Sequence, residues 1–199
     1  MKITILFPTK DESKFFEPRE GVSIAYTGVG LVASTYNTTI EILKNNPDIL
    51  IMAGIAGVYP HSSMKIGDTV LVSKEKCADI GFFFPNGFKH LSDMDLDMEF
   101  EDLFDIECPY IEEKMPFESA ASLSMNAAMA PFIRETDGEM ENMEGFGFFY
   151  ACRKANKKFY ELRSISNVVD INSNDQWDYD SSIRNLTEAL NKLIDYLRA

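Results

Sequence analysis

The stretch 141–167, ENMEGFGFFYACRKANKKFYELRSISN, sets the carboxylate of Glu144 at the head of a predicted helix and the carboxamide of Asn167 just past the strand that follows. In an α/β sheet both positions face the crevice at the carboxyl ends of the strands. A carboxylate there can hold the hydroxyls of a sugar, and a primary amide can read the edge of a heterocycle, so together they point to a nucleoside site. Glu12 follows the first apolar run and Pro8, which sets a second carboxylate at a strand's carboxyl end. Each residue also has an ordinary reading. Glu144 can serve simply as a carboxylate facing the helix dipole, worth under about 1–2 kcal/mol, and an Asn after a strand is most often a turn residue.

The elements that must position these groups follow from apolar runs and their punctuation. Residues 3–7 read as a buried strand ended by Pro8, and residues 22–26 as a second strand. Thr27-Gly28-Val29-Gly30 then turns into a helix over 31–44, closed by Asn45-Asn46-Pro47. The run 48–53, DILIMA, has the continuous hydrophobicity of a central parallel strand and leads into Gly54-Ile55-Ala56-Gly57, read as a small-residue turn. Lys65-Ile66-Gly67-Asp68 is a turn before a strand over 69–73, and 120–127 is a further strand. A helix over 143–155 precedes a strand over 159–165. In the segment 181–197, Ile183, Leu186, Leu190, Leu193, Ile194 and Leu197 keep helical spacing, which predicts an amphipathic terminal helix. Strands alternating with helices predict a single domain over 1–199, a three-layer α/β/α fold with a central mixed, largely parallel sheet.

Composition narrows the function classes. The chain has 199 residues, 45% of them hydrophobic, enough for one sizeable core. A formal charge of −13 repels phosphate backbones, which argues against nucleic acid as a partner. The acidic stretch 93–113 alternates acids with Met, Leu and Phe and reads as a solvated excursion packed down by its apolar side chains. Three cysteines without CxxC spacing give poor support for a disulfide scaffold or a zinc site. The apolar run after Met1 is too short for a signal segment and no stretch is long enough to span a membrane, so the chain reads as cytosolic. Of the two histidines, His61 sits among turn residues and His90 in no motif, which leaves acid/base work to carboxylates. The glycine turn TGVG is only part of a dinucleotide fingerprint, since Ala33 holds the third glycine's place and no acid follows at a strand tip; a tight structural or substrate-approaching turn is the stronger reading. Trp177, the one Trp, is read as core packing ahead of a lid over a flat ligand.

Taken in order, MKITILFPTKDE (1–12), TGVGLVAS (27–34), PDILIMAGIAG (47–57), KIGDTVLVS (65–73), ADIG (78–81), ENMEG (141–145) and ELRSISN (161–167) resemble the nucleoside phosphorylase/nucleosidase superfamily, in its hydrolase branch. Over nearly its full length the chain is similar to the 5′-methylthioadenosine/S-adenosylhomocysteine nucleosidases and closer still to the futalosine hydrolases. The resemblance implies that Glu12 polarises the attacking water, Glu144 binds the ribose 2′ and 3′ hydroxyls, and Asn167 addresses purine N7 and the 6-substituent. It sets Met143 under the sugar, Asn142 where the methylthioadenosine enzymes carry another Glu, and Asn126 on the strand beside the base pocket. Thr9, Ile55, Ala56, Gly57, Ser166 and Trp177 complete the implied substrate-binding set. Ile55 departs from the Ser of a Gly-Ser-Ala-Gly pattern, which leaves Thr9 as the candidate to orient Glu12. The stretch 170–177 lacks the arginines that futalosine hydrolases usually show before a Trp.

An Asn at position 167 selects the base on physical grounds. Its NH₂ matches the O6 acceptor of a 6-oxopurine and its carbonyl matches a protonated N7, whereas adenine would oppose NH₂ to NH₂ at about 1–3 kcal/mol per unpaired group. The first loop, Pro8-Thr9-Lys10-Asp11-Glu12, has two acids and none of the arginines with which phosphorylases hold phosphate, so water is the expected nucleophile. The resemblance thus implies an N-ribosyl hydrolase that splits futalosine, or a close 6-oxopurine nucleoside, into hypoxanthine and dehypoxanthine futalosine in menaquinone biosynthesis. It implies a small-molecule nucleoside partner, no metal or organic cofactor, no membrane, and a homo-oligomer of at least two chains whose neighbour closes the sugar's 5′ side. The competing readings are an adenosine-type nucleosidase, disfavoured by Asn167, and a nucleoside-binding protein without chemistry.

Overall fold

The structure, a computed structural model, describes residues 1–95, 103–170 and 177–199. Part of the acidic stretch, and residues 171–176 of the arginine-free stretch before Trp177, lie outside the described residues.

Ten strands and three helices are described: β1 (Ile3–Phe7), β2 (Val22–Tyr26), α1 (Leu31–Asn45), β3 (Ile49–Val58), β4 (Thr69–Cys77), β5 (Gly81–Phe84), β6 (Gly87–His90), β7 (Asp105–Glu107), β8 (Ser119–Ser124), β9 (Met140–Asn142), α2 (Gly145–Lys154), β10 (Lys158–Val168) and α3 (Tyr179–Arg198). They build a mixed α/β fold with helices flanking a central mixed sheet of order β10-β4-β8-β9-β3-β1-β2. β1 runs parallel to both β2 and β3, and β10 parallel to β3. Because β3 also takes β9 on its far half, the pairings β3 to β10, β4, β8, β9 and back to β3 close a ring. Side chains from four of those strands therefore meet at the start of α2, which packs over them.

The expected strands and helices are present with shifted ends, and the shifts matter. Gly54-Ile55-Ala56-Gly57 is not a turn: β3 continues through it to Val58, paired with β10 on one side. Its small residues answer a need for space. A Cβ on Gly54 would lie 2.5 Å from Arg163 Nη1 and 3.0 Å from Glu12 Oε1, and one on Gly57 would lie 3.2 Å from Asn167 Nδ2. β8 ends at Ser124, short of Asn126, and α2 begins at Gly145 because residues 140–142 form β9. The segment 105–107 forms β7 on the edge of β4, with Ile106 buried between exposed Asp105 and Glu107, the packed-down alternation expected of the acidic stretch.

Buried β1, β3 and β10 supply the centre of the core, as expected of strands covered on both faces. α3 lies against β10 and β3, starts with Asp178 accepting the Ser181 N–H at 3.1 Å, and buries Ile183, Leu186, Leu190, Leu193 and Ile194 on one stripe. Leu190→Ala is expected to destabilise the fold by about 2–5 kcal/mol, lowering the urea midpoint with little change in slope.

Candidate active site

A cavity of about 610 Å³ opens beside the carboxyl ends of β1 and β10 and the second half of β3. The loop after β1 contributes Thr9 and Glu12 to its lining, and β3 contributes Ile55, Ala56 and Gly57. β9 and the start of α2 contribute Asn142, Met143 and Glu144, and β10 contributes Ser166 and Asn167. Trp177 lines the same cavity. Asn126 is not in that lining: it is exposed beyond the end of β8, where its Oδ1 accepts the Leu31 N–H at the head of α1 at 3.4 Å.

Glu12 sits in a short helical turn and is only 6% exposed. Its Oε2 accepts the Thr9 N–H at 3.0 Å and the Thr9 hydroxyl at 2.7 Å, while Oε1 accepts the Ile55 N–H at 3.1 Å. Thr9 thus orients Glu12, and the backbone of Ile55 supplies a further donor whatever side chain stands there. Burial raises the Glu12 pKa above the usual carboxylate range, against the opposing pull of the Thr9 hydrogen bond, Arg163 and the Ile55 N–H.

Glu144 is reached from two sides. Its Oε1 accepts the N–H of Gly30 at 3.3 Å, which gives the TGVG turn its purpose: Gly28 and Gly30 have φ of 77° and 97°, conformations that suit glycine, and aim that N–H at the site. Its Oε2 pairs with Arg163 Nη1 at 3.3 Å. Arg163 is fully buried, and the same Nη1 also donates to the Ile55 carbonyl at 3.0 Å. Its Nε donates to Glu161 at 2.7 Å and its Nη2 to Asn142 Oδ1 at 3.1 Å. Burial alone favours loss of the guanidinium's proton, but the charges of Glu161, Glu144 and Glu12 outweigh it and push the Arg163 pKa up.

Asn167 owes its aim to a β-bulge: the β10–β3 register shifts between Ile165 and Asn167, so Ser166 is the extra residue. The Ser166 hydroxyl lies 2.9 Å from Asn167 Oδ1 and 3.2 Å from the Ala56 carbonyl, and Asn167 Nδ2 donates to the Val168 carbonyl at 3.3 Å. A carboxamide has two N–H groups and two carbonyl lone pairs, so one donor and one acceptor position remain for a ligand. Trp177 is not core: it is 38% exposed and stacks on Tyr179 with ring centres 5.1 Å apart.

Four charged groups of this region escaped the reading of the sequence. Arg163 and Glu161 stand two apart inside an otherwise uncharged run, residues 159–168, and that spacing sets both on one face of the strand, which is the signal the sequence offers. Glu75 on β4 carried no comparable signal. Glu141 adds a carboxylate to the cavity lining, held by the Tyr59 hydroxyl at 2.9 Å and the Met129 N–H at 2.9 Å, with its pKa raised chiefly by burial.

The family model of the Phosphorylase superfamily matches residues 17–199, and the chain belongs to that superfamily. Among characterised relatives it is similar to the futalosine hydrolase of Thermus thermophilus, 26% identical over 96% of this chain and 94% of that protein. It is also similar to the futalosine hydrolase of Acidothermus cellulolyticus, at 25% identity over 83% and 72% of the two chains. The fold matches that of futalosine hydrolase from Helicobacter pylori with a TM-score of 0.77 at 21% identity, covering 98% and 97% of the two chains. The 5′-methylthioadenosine/S-adenosylhomocysteine nucleosidase of the same organism, solved with butyl-thio-DADMe-Immucillin-A, matches equally at 0.77, with 21% identity and 98% of both chains covered.

Gly54→Ala adds a methyl group where Arg163 and Glu12 already approach. The expected outcome is a folded protein by circular dichroism with ligand-site function reduced at least ten-fold, because the two charged side chains move before the strand does; wild-type function in this variant would refute the crowding argument.

Proposed function

We propose that this chain is an N-ribosyl hydrolase acting on futalosine or a close 6-oxopurine nucleoside, releasing hypoxanthine and the free sugar product. The observation that carries this reading is the convergence on one cavity of Glu12, Glu144 and the Asn167 carboxamide. Similarity to two futalosine hydrolases supports it.

In this reading the base occupies the Asn167 end, and ribose lies between Glu144 and Met143. As the bond from C1′ to N9 breaks, its electron pair goes to the purine and positive charge grows on the sugar. Glu144 grips the 2′ and 3′ hydroxyls, whose hydrogen bonds strengthen as that charge develops. Glu12 accepts a proton from water as the water oxygen bonds to C1′, and its raised pKa suits a base working near neutrality. The departing purine takes a proton at N7 from solvent, balancing the one that Glu12 accepts and later releases, and that N7–H donates to the Asn167 carbonyl while the Asn167 NH₂ donates to O6. Lys14 is the one basic residue among the described residues lining the cavity, and it is paired with Asp180. A phosphate dianion would therefore meet mainly Asp11, Glu12, Glu141 and Glu144, so water is the favoured nucleophile.

No helix among the described residues is long and apolar enough to cross a membrane. Three free buried cysteines fit a reducing, cytoplasmic setting, and on the resemblance alone we propose a homo-oligomer of at least two chains.

Incubation with futalosine, inosine and 5′-methylthioadenosine in phosphate-free buffer, followed by chromatography, is expected to release hypoxanthine from futalosine fastest and little adenine. Release of adenine as the main product, or of no base, would overturn the proposal. Asn167→Asp is expected to slow hypoxanthine release roughly ten-fold or more and to improve tolerance of adenine, one mispaired group being worth about 1–3 kcal/mol; an unchanged base preference would remove the amide argument. Activity requires ionised Glu12, so it rises with pH through that group's raised pKa. Thr9→Val deletes a hydrogen bond that lowers this pKa, and the acidic limb of kcat/KM is expected to move to higher pH.

A further inference from the structure

Behind the cavity wall, four carboxylates share one cation. Glu12, Glu144, Glu75 and Glu161 are each at most 6% exposed, and Arg163 is fully buried among them. Glu75 and Glu161 do not line the cavity. They converge on the first residue of α2: a Cβ on Gly145 would lie 2.1 Å from Glu75 Oε1 and 2.6 Å from Glu161 Oε1. Glu161 Oε1 takes the Arg163 Nε–H, while its Oε2 is buried without a partner. Uncompensated buried anions cost far more than one guanidinium returns, and two carboxylates this close do not both ionise.

The partners of the two acids place the missing proton. Ser124 Oγ lies 2.6 Å from Glu75 Oε2 and 3.2 Å from Asn142 Oδ1, and it accepts the Phe146 N–H at 2.8 Å. A hydroxyl has a single hydrogen, so it cannot donate to both oxygens. Asn142 Oδ1 already accepts the Glu144 and Gly145 N–H groups at 2.8 and 2.6 Å and Arg163 Nη2 at 3.1 Å, so Ser124 is left to pair with Glu75. Glu161 is the acid that takes the Arg163 Nε–H, whereas the partners of Glu75 are the neutral Ser124 hydroxyl and Asn142 amide, and the proton belongs on Glu75. Asn142 then links the two halves, with Nδ2 donating to Glu75 Oε1 at 2.6 Å and Oδ1 accepting from Arg163.

We infer that Glu75 and Glu161 form an acid pair holding one proton on Glu75, and that ionised Glu161 is a positioning residue that fixes Arg163 against Glu144. The catalytic part of this inference rests on the proposed nucleoside hydrolysis. Burial first, and the charge of Glu161 second, raise the Glu75 pKa well above the carboxylate range. Of the other groups facing the pair, Arg163 from β10 lowers the pKa of both acids and bonds Glu161 directly; burial first, and the charge of Glu144 at the head of α2, raise that of Glu161; and the Cys108 and Cys152 thiols are kept neutral by burial. Were Glu75 to ionise, a second anion would compete for Arg163 and draw it from Glu144.

The test compares wild type with Glu75→Gln and Glu161→Gln. A buried acid with a raised pKa keeps in the folded state a proton that the unfolded chain gives up, so its contribution to stability is lost as pH rises above the ordinary carboxylate range. The Tm of wild type is expected to fall from pH 5 to pH 9 more steeply than that of Glu75→Gln, with the variant the more stable at pH 9. Parallel curves, or a variant less stable at every pH, would overturn the proton assignment. The infrared spectrum of wild type at pH 8 is expected to contain a protonated carboxyl stretch, and its absence would overturn the assignment without any variant. Glu161→Gln is expected to lower kcat on futalosine at least ten-fold with KM changed less than three-fold, and an unchanged kcat would overturn the positioning role. The thermal and infrared readings need no substrate, so their failure is distinct from failure of any nucleoside to be cleaved.

Discussion

The site depends on one fully buried guanidinium. Arg163 touches Glu161, Glu144, Asn142 and the Ile55 carbonyl, so a single side chain from β10 ties together β3, β9 and the head of α2. Removing one partner from a buried ion pair leaves an uncompensated charge at a cost of about 3–5 kcal/mol, which makes such a cluster an all-or-none arrangement. The ring of strands exists where the cluster needs it. Closing β10 and β9 onto β3 brings four strands' polar side chains to one point without opening the core to water.

Space for this cluster is made by glycines. Gly54, Gly57 and Gly145 each leave a position that a methyl group would contest with Arg163, Asn167 or the Glu75 and Glu161 carboxylates. In the sequence these residues look like turn formers, and the run Gly54-Ile55-Ala56-Gly57 has the composition of a turn. Only the packing of β3 on β10 reveals that absence of a side chain, not freedom of the backbone, is what those positions require.

That contrast separates what the sequence discloses from what it conceals. Apolar runs disclose β1, β10 and α3, whose burial is decided by their own hydrophobicity, whereas α1 is legible from the glycine turn before it and Asn45-Asn46-Pro47 after it, and β2 has no fully buried residue. β9 was hidden since Met140, Glu141 and Asn142 have no strand pattern of their own and are extended only because β3 and β8 flank them. The β5–β6 hairpin, with Phe84 paired to Gly87, is marked in the sequence by the turn residues Pro85 and Asn86. Glu12, Glu144 and Asn167 were legible from their places at element ends and from resemblance. The bulge that aims Asn167, and the pairing of Glu161 with Arg163, depend on register and burial, which a linear reading does not supply.

The central claim is geometric: a purine nucleoside lies with its base on Asn167 and its ribose on Glu144, beside a water held by Glu12. A crystal structure of the Glu12→Gln variant with inosine bound tests it most directly. The account predicts the Asn167 carboxamide within hydrogen-bonding distance of O6 and N7, and the Glu144 carboxylate on the 2′ and 3′ hydroxyls. A nucleoside bound elsewhere, or bound in this cavity with its base away from Asn167, would contradict it.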